Sequence, residues 1–545
     1  MSRNPTTPAR RAPGTPRRAL LAAAGAIALL AGTAAPARAQ GQTQGQTLTM
    51  GISAPPASID PHYYTLTPSI MLSHHIFDTL VKRDENARLV PGLAESWRAV
   101  DPTTWEFRLR EGITFHNGAP LTAEDVAYSL KRVPTVQSPS SFAVYTRAIT
   151  GIEVVDARTL RLKTAAPYPL LPSDVAAIFI LPRGLGENVA SASFNSPQVA
   201  VGTGPFRFVA YAPNDRVTLQ RHDGYWGSKP EWEKVDYRII TNAGSRVAAL
   251  LSGDVAMIDN VPTQDLARMR KDDRVNVVEG TSLRLIFLGL DTSREGDTPD
   301  ITGPNGEKLG KNPLQDRRVR EALSIAINRE AIASRVMEGS SIPAGQFMPQ
   351  GAFGYDPGIP VPRFDPERAR KLLAEAGYPN GFTITLRGPN DRYVNDGQII
   401  QVVAQMWTRI GIKTTVDAQP LATLIGRLNR FDSSAYLLGW SNSTGEPSTS
   451  LRAVLGTRSQ ERGLGLSNFG RYSNPAMDDI TARGLLSLDD AEREKLMQEA
   501  MRSAMQETGI IPIHTQKSIW ALKRGLTYIP RVDEMTLATE VRTTR

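Results

Sequence analysis

Two periods of hydrophobic spacing divide the chain. In the first half the short period dominates. Residues 105–109, 159–163 and 217–220 alternate apolar and polar side chains, as half-buried strands do. Turn signals lie between them, at His116-Asn117-Gly118 and Pro213-Asn214-Asp215. One helix start is well marked: Thr122 as N-cap, Asp125 three residues on, then Val126, Tyr128 and Leu130. Residues 48–291 therefore read as a mixed α+β lobe.

Beyond it the helical period takes over. Residues 318–337 place Val319, Leu323, Ala326, Ile327, Ile332 and Val336 at helical spacing, with a restart at Asn328. Asp365-Pro366 opens another helix and Gly377 closes it. Strand and helix then alternate: strand 382–386, helix 397–410, strand 412–416, helix 421–429, strand 435–440. That order predicts a parallel sheet with helices on its faces. A last helix over 490–507 stops at Gly509, and residues 511–522 look extended enough to cross back to the first lobe.

Open parallel sheets bind ligands beyond the carboxyl ends of their strands. Two loops leave such ends, 387–395 and 441–450. The first offers Asp391, Arg392 and Tyr393. The second, with Trp440 at its root, offers Asn442, Ser443, Thr444 and Glu446. Arg392 could grip a carboxylate with a two-pronged hydrogen bond, and Trp440 could form a flat apolar wall. The plainer alternatives are a solvated loop arginine and a core aromatic at a strand end.

The N-terminus changes the picture of charge. Residues 1–39 hold six arginines and no acid, an apolar run over 19–32 and a small-x-small site at Ala37-Arg38-Ala39. This is the pattern of a secretory signal peptide. Arg17-Arg18 resembles a twin-arginine signal in part, and a general secretory signal fits as well. The whole chain of 545 residues carries a net charge of +8. Without the signal it has 57 basic and 55 acidic side chains, +2, which removes the basis for nucleic-acid binding. No cysteine is present, so neither disulfides nor a lipid anchor on an N-terminal cysteine is expected. A soluble periplasmic monomer is the expectation.

Chemistry on the ligand finds little support. The six histidines include one adjacent pair, His74-His75, whose side chains diverge by about 100° on a helix and form no ready chelate. No nucleophile elbow, phosphate loop or nucleotide fingerprint is present. No cofactor, metal site or catalytic residue is expected.

Several blocks resemble solute-binding protein family 5 of ABC importers, the peptide and nickel class. They are Ser58-Ile59-Asp60-Pro61 with residues 76–81, Leu93-Ala94-Glu95-Ser96-Trp97 with 105–110 and 112–118, Thr122-Ala123-Glu124-Asp125-Val126, Gly202-Thr203-Gly204-Pro205-Phe206 with Tyr225-Trp226-Gly227, and 316–323 with 326–330. The resemblance spans nearly the full length. It implies an α/β, two-lobed periplasmic-binding-protein-like fold, class II in type, large, with an extra subdomain in lobe I and a hinge between lobes. The expected division is signal 1–39, disordered leader 40–47, lobe I 48–289, lobe II 290–514 and a return to lobe I over 515–545, with hinge stretches at 288–291 and 512–520.

The resemblance also implies closure over a buried peptide or peptide-like ligand, and delivery to a permease with ATPase subunits. Tyr63, Tyr64 and His74 join the candidate ligand contacts. In peptide-binding members an aspartate shortly after the strand-end tryptophan holds the ligand's amino group. Here that position is Ser443, which cannot offset a buried ammonium, and the nearest acid is Glu446. Arg392 lies near the carboxylate-holding arginine of dipeptide binders, at a different offset. Modified peptides, peptide-like metabolites and metal chelates therefore stay open. A nickel chelate requires a histidine in the cleft; a secreted hydrolase requires a full catalytic constellation there.

Overall fold

The computed structural model describes residues 46–138 and 141–544. The segment read as an export signal, 1–39, and residues 40–45 of the leader lie outside the described residues. The last leader residue, Thr47, already begins the strand Thr47–Ile52.

Two long antiparallel strands form the spine. Val275–Leu290 and Ile511–Lys523 pair from Val275↔Lys523 to Leu288↔Ile511, with register shifts between Thr281 and Leu285 and between Ile286 and Phe287. One end of this ribbon joins the strands of the first half: Met257–Ile258 pairs with Ile511–Lys523, and Thr47–Ile52 runs parallel to Met257–Ile258 and Lys234–Ile239. The other end joins the second half, where Ala435–Ser441 pairs antiparallel with residues 284–290.

The expected parallel sheet exists, but only as three strands of a larger mixed one. Phe382–Pro389 lies parallel to Ile412–Gln419 and to Ala435–Ser441. The helices Asp396–Arg409 and Leu421–Asn429 make the crossovers that parallel pairing requires. Val275–Leu290 arrives from the first half with no crossover helix, so it can pair antiparallel. Alternation within one segment could not reveal a neighbour drawn from so far along the chain.

Local signals place the helices well. Thr122 and Asp125 form a reciprocal capping box at the start of Ala123–Arg132. Asp365 caps Pro366–Glu375, and Gly377 follows at φ 92°, the left-handed conformation that suits a helix stop. The run 318–337 is broken where Asn328 was expected to restart it: Arg317–Ile325 ends, and the Asn328 side chain accepts from the Ala331 amide at 2.8 Å to cap a new turn.

Each half has its own core. In the first half, one cluster packs Leu48, Met50, Phe206, Tyr237 and Trp520. Another, under the four-stranded sheet ordered Ala94–Asp101, Thr104–Leu109, Thr159–Thr164, Ile149–Asp156, packs Phe107, Phe115, Leu160 and Leu162. In the second half, Leu288, Ile384, Leu386, Val403, Trp407 and Leu437 fill one face of the sheet. Leu285, Phe287, Phe347, Leu438 and Met501 fill the other. Ala87, Leu283 and Met348 make a small apolar cluster between the halves.

Candidate ligand-binding site

The resembling motifs converge around one aspartate. Asp78 accepts hydrogen bonds from Trp226 Nε1 at 2.8 Å and from Thr203 Oγ1 at 3.0 Å, and pairs with Lys82 Nζ at 2.6 Å. Burial pushes its carboxyl up, but Lys82 with the Trp226 and Thr203 hydrogen bonds together hold it below the ordinary carboxylate range. The loop bearing Thr203 must pass close over residues 76–77. A Cβ at Gly202 would stand 2.0 Å from the Ile76 carbonyl oxygen, and one at Gly204 2.6 Å from its carbon. The opening motif is structural in the same way. Arg132 grips Asp60 with two bonds, 3.0 and 2.6 Å, both side chains being buried. His62 accepts from Arg132 on Nδ1 at 3.0 Å and donates from Nε2 to Phe179 O at 2.7 Å, a neutral imidazole whose pKa burial lowers to about 4.

These networks support one wall of a cavity of about 430 Å³. The wall carries Lys82, Arg83, Ser173, Phe179, Tyr225 and the segment 531–542. The second half closes it with Arg284, Ser441, Ser443 and Thr444. Six cations line it (Lys82, Arg83, Lys229, Arg284, Arg531, Arg542) against three carboxylates (Asp533, Glu534, Glu540). Arg284 binds Glu534 bidentately, at 3.0 and 2.6 Å, and Arg531 pairs with Asp533 at 2.6 Å. Lys229 pairs with Asp223 at 2.9 Å.

Arg83 is held differently. Its guanidinium donates to Thr444 O at 2.7 Å, Ala87 O at 3.0 Å, Ser173 O at 3.2 Å and the Ser173 hydroxyl, all uncharged. Burial lowers its pKa, with Glu446, Asp533 and Asp174 opposing from a distance. The same arginine lines a second cavity of about 520 Å³, with Trp97, Trp105, Phe353, Glu446 and Arg493. Beside the seam, burial raises Asp174 to about 7, although Tyr168 donates to it at 2.7 Å and Arg83 lies near.

Of the residues nominated from sequence, His74, Ser443 and Thr444 line the first cavity and Thr444 and Glu446 the second. His74 sits edge-on to Phe179, ring centroids 4.9 Å apart, and burial, reinforced by Arg531 and Lys82, lowers its pKa to about 3. The other nominees line neither cavity. Arg392 is exposed, with its guanidinium 5.3 Å from the Tyr393 ring. Tyr393 donates its hydroxyl to Gly439 O at 3.1 Å, because Asp396 caps the Arg392 and Tyr393 amides and folds the loop back. Trp440 packs on the core of the second half, with Nε1 3.4 Å from Thr449 Oγ1. Asn442 is buried and accepts from Thr449 at 3.0 Å, while its Nδ2 has no partner among the described residues. Tyr63 and Tyr64 are half-buried against each other.

Sequence reasoning missed Lys82, Arg83, Arg284, Tyr225 and Glu534. The available signal was the pair Lys82-Arg83 directly after the resembling run 76–81. Among the described residues no group of three His, Asp or Glu side chains is placed to hold a metal ion, and no helix is long and apolar enough to cross a membrane.

Residues 88–461 match the family model of bacterial extracellular solute-binding proteins, family 5. The dipeptide-binding protein of Escherichia coli is 25% identical over 84% of this chain and 87% of its own. Heme-binding protein A of Haemophilus influenzae is 28% identical over 81% and 82%. The structure of HbpA2 from Haemophilus parasuis superposes with a TM-score of 0.78 at 25% identity, covering 92% of this chain and 100% of that one. The chain belongs to the bacterial extracellular solute-binding proteins of family 5: a two-lobed α/β binding protein, not an enzyme.

Proposed function

We propose that the chain is the periplasmic solute-binding subunit of an ABC importer. It captures a peptide or peptide-like solute in the 430 Å³ cavity and presents the closed form to a permease and its ATPase subunits. One observation carries this reading: the cavity is walled by both halves of the molecule, and those halves are joined through two strands of a single ribbon. Such a geometry opens and closes by bending at the ribbon, and a ligand that touches both walls favours the closed state.

We propose a boundary between the lobes near residue 283, a few residues before the expected 289. Leu285–Leu288 already pack in the cores of the second half, and the first register shift precedes them. The hinge then falls at 281–285 and 515–517. The segment 1–39 directs export, and the mature protein acts as a monomer. Ser443 lines the cavity and cannot offset a buried ammonium, so the solute need not carry a free amino terminus.

Capture of a metal chelate is the second reading, favoured by His74 alone, whose low pKa keeps the imidazole free to ligate. Mass spectrometry of the ligand released from protein purified from the periplasm, with small-angle scattering before and after its removal, tests both. A released solute whose loss increases the radius of gyration supports capture by closure; no change on release overturns it. A nickel or other metal chelate in the released fraction selects the second reading.

A further inference from the structure

We infer that the cavity takes a small solute of net negative charge, and that Arg83 receives its oxyanion, a carboxylate or a phosphate. This deepens the solute-capture reading of the same cavity and rests on it.

The lining has twice as many cations as carboxylates. Internal pairing leaves an excess of one cation: Asp533 and Glu534 pair with Arg531 and Arg284, Asp78 and Asp223 answer Lys82 and Lys229 from behind the wall, and Glu540 is the one further carboxylate in the lining. Arg83 and Arg542 remain with no ion pair among the described residues. Arg542 has its guanidinium on the main-chain carbonyls of Thr539 and Val541. Arg83 is drawn in at the seam, and main-chain carbonyls and one serine orient it without neutralising it.

Withdrawing a charge from water is costly unless an opposite charge answers it, and Coulomb attraction grows as water is excluded. Four of the five Arg83 N–H donors are held by Ala87, Thr444 and Ser173, so a solute oxyanion meets an unneutralised charge and the one remaining donor, Nε–H. The second half contributes no acid to its share of the wall beside Ser441, Ser443 and Thr444. A cationic solute would find no carboxylate on that side of the wall. Arg83 also touches both cavities, so an anion at this point can anchor a solute that extends into either.

The experiment is a thermal-shift and calorimetry series on the ligand-stripped protein at fixed ionic strength. Probes are citrate, N-acetylglutamate and γ-glutamylglutamate, each against its amide, then glycerol phosphate against glycerol, and finally dialanine and dilysine. At least one oxyanion probe is expected to bind ten times or more tighter than its uncharged counterpart. Arg83→Gln should weaken it at least thirtyfold, and Arg83→Lys less than tenfold. The melting temperature without ligand reports whether each variant folds; if Arg83→Gln does not, Arg83→Met carries the same test. Binding confined to neutral or cationic probes, oxyanion binding unaffected by loss of the Arg83 charge, or no oxyanion binding at about 10 mM overturns the inference. A neutral peptide that binds and compacts the protein in scattering leaves solute capture standing while this inference falls. An oxyanion that binds without compaction does the reverse.

Discussion

Arg83 donates to the main-chain oxygen of Thr444 at 2.7 Å, across 361 positions of sequence and from one half of the molecule to the other. The donor stands on the short strand Val81–Arg83, the acceptor in the loop after Ala435–Ser441. One step along, Gly445 adopts φ 82°, and a Cβ there would approach the Ala87 oxygen to 2.7 Å. The halves therefore meet main chain to main chain at this point, with Arg83 as one of the bonds between them.

Gly445→Val is expected to wedge this seam. The side chain meets backbone that cannot swing aside, and a β-branched residue resists positive φ. Ligand affinity should fall at least tenfold and the radius of gyration should shift towards the open form. Stability should drop by about 1–2 kcal/mol in urea titration. Calorimetry and scattering on the variant check both effects.

Ser443→Asp places a carboxylate in the cavity wall. With an oxyanionic solute, affinity should fall tenfold or more and recover partly as pH drops below 5, when the new carboxyl protonates. A gain in affinity for free dipeptides would instead restore the amine recognition that the serine lacks.

Asp174 gives a pH dependence with a defined sign. Burial raises its folded pKa to about 7, while the unfolded value stays near the ordinary aspartate value of 3.8. Between these values the unfolded chain gives up its proton first. The contribution therefore costs nothing below about pH 4, grows as pH rises, and is complete above about pH 7. Asp174→Asn should be the more stable form at pH 8 by on the order of 4 kcal/mol, and the difference should close by pH 4. Urea midpoints of the two proteins across that range check it.

Asp60→Ala should destabilise the first half. It strands Arg132, whose guanidinium is buried beside Phe194, with its carboxylate partner gone. Loss of one member of a buried pair costs about 3–5 kcal/mol. Truncating Trp407, fully buried with Nε1 on Leu323 O at 2.9 Å, should cost a similar amount, about 3–5 kcal/mol, in the second half. If the halves unfold separately, each variant should lower a different calorimetric transition.

Sequence alone determined what local physics governs. Caps and stops set helix ends: Thr122 with Asp125, Asp365-Pro366 with Gly377, and Asn328 at the restart. The helix over 421–429 and the three parallel strands follow from periodicity, and the family blocks pointed to the fold. Tertiary structure alone decided which residues face the solute. Arg392 and Trp440 had the right chemistry at the right strand ends, yet a capped loop turned one outwards and a core absorbed the other. Lys82, Arg83, Arg284 and the segment 531–542 meet in one cavity although they lie hundreds of residues apart. Their meeting depends on the pairing of Val275–Leu290 with Ile511–Lys523 and on the buried network at Asp78. Helix caps act over a few residues and leave a periodic trace. Strand pairing and charge burial act across space, and no spacing along the chain records them.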